Sequence, residues 1–145
     1  MLLHDDFEVW YGFREAAVPP PDHFEFEIHL GPDDCGEIAY RPDYPSDETP
    51  RWECRFHWPE ERRSRLHALM VGHMVFDSRS VPPPDDDSAG GALESMEVRS
   101  DGRSFNYPWR TPGLVPSVVV EEVRSSVPAY VWSKLEEKQR AYGQS

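Results

Sequence analysis

The first 58 residues alternate apolar and polar side chains with a period of two, which is typical of β-strands with one buried face. Four such stretches occur, and they are centred on residues 7–11, 24–30, 38–40 and 52–58. The connections between them are rich in Pro, Gly and Asp, which favours turns and loops. The pattern therefore predicts a four-stranded antiparallel meander.

The register of these strands follows from their index sums, because opposed residues of an antiparallel pair share a face and have a constant sum. Sums of about 35, 66 and 92 place Val9 beside Phe26, Phe26 beside Tyr40, and Tyr40 beside Trp52. All four side chains then lie on one face. We expect one apolar and one polar face of the sheet.

A helix is predicted directly after the fourth strand. Pro59 followed by two acidic residues is typical of a helix start. An apolar stripe at helical spacing follows, formed by Leu66, Leu69, Met70, His73 and Met74. We expect this helix to cross the apolar face of the sheet.

The second half of the chain begins with a hairpin. The pair Asp101-Gly102 favours a type I′ turn, and a two-residue loop there places Val98 opposite Phe105. Residues 115–126 fit either a strand or a helix, with a short helix after Pro116 favoured, and Pro128 opens a final helix. The predicted order is ββββ-α-ββ-α(α), an α+β fold with a mainly antiparallel sheet and helices packed on one face.

The length of 145 residues and the mass of 16.8 kDa favour a single domain spanning residues 1–145. Residues at about 77–91 are rich in Pro, Asp and Gly and cannot bury apolar area. We expect a mobile loop there, inserted within the domain.

The chain has 27 acidic and 15 basic residues, a net charge of −12 and a mean hydropathy of −0.70. This balance disfavours nucleic-acid binding, and no apolar run is long enough to span a membrane. The N-terminus lacks the pattern of a secretory signal, so we expect a cytoplasmic protein with reduced cysteines. The preference for Arg over Lys favours a bacterial source with a GC-rich genome.

No motif predicts catalytic residues or a cofactor, since GxGxxG, Walker A, GxSxG and HExxH are all absent from the sequence. His29, Glu37 and His57 share the polar face and could approach a metal, but the neighbouring Arg55 disfavours a cation there. We therefore predict no metal site and lean away from an enzyme.

Protein binding is the function that the pattern favours. Parity places Trp10 on the polar face, opposite Glu25, and tryptophan is enriched at interface hot spots. The predicted partner-binding residues are Glu8, Trp10, Glu25, Glu27, His29, Glu37 and Glu53. We expect a small acidic module of immunity or inhibitor type that occludes a basic protein through an acidic face of the sheet, with solubility alone as the competing explanation of the charge.

Two other functions remain open. A small enzyme or ligand-binding protein would use a pocket between the sheet and the helix at Leu66–Met74, with His73 in its lining. A structural or assembly module is the third possibility. The sequence leaves the partner and the oligomeric state undetermined.

Overall fold

The computed structural model describes residues 2–16, 23–77 and 91–143. The elements are β1 (Glu8–Ala16), β2 (Glu25–Leu30), β3 (Cys35–Arg41), β4 (Trp52–His57), α1 (Glu60–Gly72), β5 (Gly91–Ser100), β6 (Arg103–Arg110), α2 (Ser117–Ser126) and α3 (Ala129–Gly143). The α+β class and the order of elements are confirmed. The mobile loop predicted at 77–91 falls almost wholly outside the described residues.

The six strands form one antiparallel sheet in the order β4-β3-β2-β1-β5-β6. The first four strands are the predicted meander. The β5–β6 hairpin joins the other edge of β1, so β1 lies inside the sheet. Asp101 and Gly102 have φ angles of 56° and 70°, as a type I′ turn requires, and Val98 faces Phe105 as predicted.

The register is as predicted for two of the three meander pairs, with Phe26 opposite Tyr40 and Tyr40 opposite Trp52. The predicted β1–β2 register is wrong, because Val9 pairs with Leu30 rather than with Phe26. This shift by an even number of residues leaves every side chain on its predicted face. It changes the neighbours, however, and Trp10 lies opposite His29 instead of Glu25.

The three helices of the described residues pack on the apolar face of the sheet. His67 of α1 contacts Phe7 edge to face, with ring centres 5.1 Å apart, and Trp132 of α3 contacts Phe26 in the same way at 5.2 Å. Residues 117–126 form a helix, as the sequence favours, and Val119 and Val123 are buried on its inner side. In the described part of the chain, the opposite polar face carries no helix.

Helix α1 ends earlier than the predicted stripe. It stops at Gly72, Met74 has a φ of 60° and is 60% exposed, and His73 is also exposed. The prediction that His73 could line a pocket under this helix is therefore wrong.

Arg63 of α1 takes a buried position because its guanidinium donates to backbone carbonyls of the N-terminal segment at 2.8 and 2.9 Å.

Candidate functional site

The polar face of the sheet contains a concavity of about 430 Å³, within the range of small-ligand sites. Its shape follows from two neighbouring rows of residues that run across the strands. One row contains the small residues Ala39, Gly12 and Ser95, with Glu27 between the first two. The adjacent row contains the larger residues Glu37, His29, Trp10, Glu97 and Asn106. The row of small residues forms the floor, and the row of large ones forms one wall.

Trp109 of β6 forms a second wall. A Cβ atom added to Gly12 would lie 2.6 Å from Cη2 of Trp109, so the indole lies directly on this glycine. The guanidinium of Arg14 stacks on the same indole, with Cζ 3.9 Å from the ring centre. The Arg14 side chain also lies 3.8 Å from the carboxylate of Glu25. These contacts fix the position of Trp109.

Trp10 is held as firmly on the other side. The ring of His29 stacks on it with centres 5.0 Å apart and an angle of 9° between the planes. Nε2 of His29 is in turn hydrogen-bonded to Oε2 of Glu8 at 2.5 Å. The guanidinium of Arg99 lies 5.2 Å from the centre of the Trp10 ring and 3.9 Å from Glu8. Trp10 is therefore a half-buried wall of the concavity rather than a projecting side chain.

Four of the glutamates that the sequence places in the binding surface have partners within the protein. Glu8 is bound by His29 and Arg99, as above. Glu25 is only 8% exposed and lies 2.9 Å from Nε2 of His23. The other two form ion pairs across or along the strands, Glu37 with Arg55 at 3.5 Å and Glu53 with Arg51. The negative charge of these four residues is largely compensated.

Two carboxylates in the concavity differ from the others. Glu27 is exposed and Glu97 is half-buried, and neither forms an ion pair or hydrogen bond with any residue in the described ranges. They flank β1 on opposite sides, since Glu27 is opposite Gly12 and Glu97 is opposite Trp10. Both therefore offer acceptor oxygens to a group that enters the concavity.

The sequence predicts an acidic face, but the polar face of the sheet as a whole is close to neutral. The strand registers place on it six glutamates, Glu8, Glu25, Glu27, Glu37, Glu53 and Glu97, and four arginines, Arg14, Arg41, Arg55 and Arg99. A fifth arginine, Arg51, precedes β4 and lines the concavity on the same face. Local negative charge therefore comes from the two unpaired carboxylates and not from an acidic excess over the face. Most of the net charge of −12 lies elsewhere in the chain.

Sequence reasoning identified Trp10, Glu27, His29 and Glu37 in the lining of the concavity and missed Glu97 and Trp109. The alternation within β5 shows that Glu97 lies on the face away from Met96 and Val98. The local pattern does not show that β5 pairs with β1, which brings Glu97 beside Trp10.

The residues that the structure describes contain neither a metal-binding cluster nor a membrane-spanning helix. No group of three or more His, Cys, Asp or Glu side chains there could hold a metal ion. None of the described helices is long and apolar enough to cross a membrane. The chain matches no family model and shows no significant similarity to a curated protein.

Proposed function

We propose that this protein binds a basic segment of a partner protein on the polar face of its sheet. Two basic side chains of the partner enter the concavity, one interacting with Glu27 and the other with Glu97. The observation that carries the proposal is that Glu27 and Glu97 have no partner among the described residues. The other glutamates on the same face of the sheet, Glu8, Glu25, Glu37 and Glu53, are already paired. Incoming cations pair with these two carboxylates without breaking an existing ion pair.

The spacing of the two carboxylates suits a segment with more than one basic side chain. Their backbone positions are two strands apart and two residues apart along β1, so their Cα atoms are separated by about 12 Å. Each carboxylate can thus take its own cation. The contributions of two groups at this distance are expected to add.

The walls of the concavity are arranged before the partner arrives. His29 and Arg99 hold Trp10, and Arg14 holds Trp109. Binding then costs little side-chain entropy at these positions, which favours affinity. The indoles contribute apolar contact to the aliphatic part of an arginine or lysine side chain.

The biological role that we propose is occlusion of a basic surface, in the manner of an immunity protein or an inhibitor. The net charge of −12 supports this role, since it attracts a basic partner over long range and raises the association rate. We further propose a bacterial source, which the preference for Arg over Lys favours, and a cytoplasmic location, which the free thiols of Cys35 and Cys54 favour.

The test is a titration with a tetra-arginine peptide and with its citrulline counterpart, which has the same shape without the charge. Binding is followed by tryptophan fluorescence and calorimetry. The arginine peptide should bind and the citrulline peptide should bind far more weakly. Glu27→Gln and Glu97→Gln should each weaken binding about two- to fivefold, the effect of one solvent-exposed ion pair. Glu137→Gln, at an exposed position of α3, should leave the affinity unchanged.

Equal affinities for the two peptides would overturn the proposal. So would an affinity that Glu27→Gln and Glu97→Gln change no more than Glu137→Gln does. Circular dichroism of each variant establishes that the fold is retained, which is expected because both carboxylates lack internal partners in the described structure.

A further inference from the structure

A second cavity lies on the opposite side of the sheet, between its apolar face and helices α2 and α3. It has a volume of about 540 Å³. Its lining combines four aromatic side chains with three charged ones, namely Phe24, Phe26, Tyr40, Trp132, Arg124, Glu136 and Arg140, beside Gln139. The size and the mixture of apolar walls with a few polar groups are those of a small-ligand site.

The aromatic walls are arranged to receive a flat ring. Phe24 and Tyr40 are parallel within 1°, with ring centres 5.9 Å apart, and Phe26 lies within 7° of Tyr40 at 6.4 Å. Trp132 approaches Phe26 edge-on, at an angle of 78°. A planar group in the cavity can therefore stack against one wall and contact the other edge to face, which are the two favoured geometries of aromatic pairs.

The charged groups favour an anion. Nε of Arg124 is buried and has no hydrogen-bond partner in the described part of the chain. Its guanidinium lies over the rings of Phe13 and Phe26, at 4.8 and 5.2 Å, also interacts with the hydroxyl of Tyr11, and forms no ion pair with a described acidic residue. A buried donor without an acceptor is costly, and a ligand carboxylate would remove that cost.

Two further groups at the cavity support the same ligand charge. Arg140 is exposed at the cavity and forms no ion pair with a residue that the structure describes. The hydroxyl of Tyr40, whose pKa is raised to about 12 by burial and by the nearby Glu136, is protonated at neutral pH, as that of an ordinary tyrosine is, and can donate a hydrogen bond. Glu136 opposes two guanidinium groups with one negative charge, which leaves the lining with an excess of one positive charge.

We propose that this cavity binds a small aromatic compound with a single carboxylate, whose ring lies between Tyr40 and Trp132 and whose carboxylate interacts with Arg124 and Arg140. The site is independent of the polar concavity, since the sheet lies between the two.

The experiment compares naphthoate with naphthylmethanol, which has the same ring system without the charge. Calorimetry measures affinity, and Trp132 reports binding by fluorescence. Naphthoate should bind at least tenfold more tightly than the alcohol. Arg140→Gln should weaken naphthoate binding about threefold or more and leave binding of the alcohol unchanged. Lys134→Gln is the matched control, because it removes one exposed positive charge from the same helix outside the cavity.

Arg124→Gln should weaken naphthoate binding more strongly than Arg140→Gln does. If that variant fails to fold, the comparison of Arg140→Gln with Lys134→Gln decides. The proposal is overturned if naphthoate does not bind at millimolar concentration, if it binds no better than the alcohol, or if Arg140→Gln and Lys134→Gln have equal effects. Naphthoate should leave the affinity for the tetra-arginine peptide unchanged, which separates this site from the proposed function.

Discussion

Gly36 is a position where a single methyl group should destabilise the protein. It lies on β3 opposite Phe56 of β4, whose ring is folded across it and is only 6% exposed. A Cβ atom added to Gly36 would lie 2.2 Å from Cε2 of Phe56 and 2.5 Å from Cζ. Real Cβ atoms essentially never approach another atom within 3.0 Å, so the buried ring would have to move by nearly 1 Å.

The expected free energy follows from two opposing terms. Inserting a methyl group into a packed core costs about 1–3 kcal/mol. Replacing glycine by alanine also restricts the unfolded chain, which stabilises the folded state by about 0.4–1 kcal/mol. Gly36→Ala should therefore lower the free energy of unfolding by up to about 2.5 kcal/mol, and by about 1.3 kcal/mol at the middle of the two ranges.

Gly72 supplies the matched control. It is the last residue of α1, and an added Cβ there has no atom within 4 Å. Gly72→Ala should therefore raise the free energy of unfolding by about 0.5–1 kcal/mol, because alanine is the better helix former.

Urea unfolding followed by tryptophan fluorescence measures both variants. The difference between them isolates the steric cost at Phe56, because the two changes restrict the unfolded chain equally. Equal stabilities of Gly36→Ala and Gly72→Ala, at unchanged m-values, would refute the argument that the Phe56 ring cannot yield.

Three further predictions concern other positions. Gly12→Ala should displace the half-buried Trp109 and so change the near-ultraviolet circular dichroism spectrum. It should also weaken binding of the tetra-arginine peptide with little loss of stability. An unchanged spectrum would contradict the placement of this indole. Asp6 accepts two backbone N–H groups of the β5–β6 turn, at 2.8 and 2.7 Å, which hold its pKa below the ordinary 3.8. The stability that ionised Asp6 provides is therefore present above pH 3.8 and is lost as the pH falls through the lowered pKa. Urea unfolding curves of Asp6→Asn and the wild type should differ at pH 7 and converge in acid. Tyr11→Phe removes a 2.7 Å hydrogen bond to the buried carboxylate of Glu94 and should lower the free energy of urea unfolding by about 1–3 kcal/mol. Adding Glu94→Gln to this variant should reduce the loss, because no unpaired buried carboxylate then remains.

The sequence predicted which face of the sheet each side chain occupies better than it predicted which residues lie opposite each other on adjacent strands. Alternation determines which side of a strand is buried, but every even shift of register preserves that alternation. The short turns at Gly31–Asp34 and Asp101-Gly102 fixed the β2–β3 and β5–β6 registers, and the β3–β4 register was also right although its connection, residues 42–51, is too long to fix it. The longer connection between β1 and β2 fixes none, and there the predicted register missed by four residues, the distance along β2 from Phe26 to Leu30.

The helix and the candidate site show two further limits. Hydropathy counts Arg63 as a surface residue, yet two carbonyl acceptors in the N-terminal segment allow it to be buried. The concavity depends on the pairing of β1 with β5, whose residues are more than 70 positions apart along the chain. No local pattern contains that pairing. The sequence therefore predicted that Trp10, Glu27, His29 and Glu37 share the polar face, but not that Glu97 and Trp109 lie beside them.

The net charge of the chain and the two unpaired carboxylates should affect binding differently. A charge of −12 acts at distances up to the Debye length of about 10 Å at 0.1 M salt, and so raises the association rate. Glu27 is exposed and contributes mainly to this attraction, whereas Glu97 is half-buried and its contact with a bound cation is less screened. In stopped-flow binding of the tetra-arginine peptide, Glu27→Gln should mainly slow association, and Glu97→Gln should mainly speed dissociation. Raising the salt to about 1 M should remove the first effect and retain part of the second. If both substitutions changed only the association rate, the carboxylates would act as general surface charge, and the concavity would not be where the cation binds.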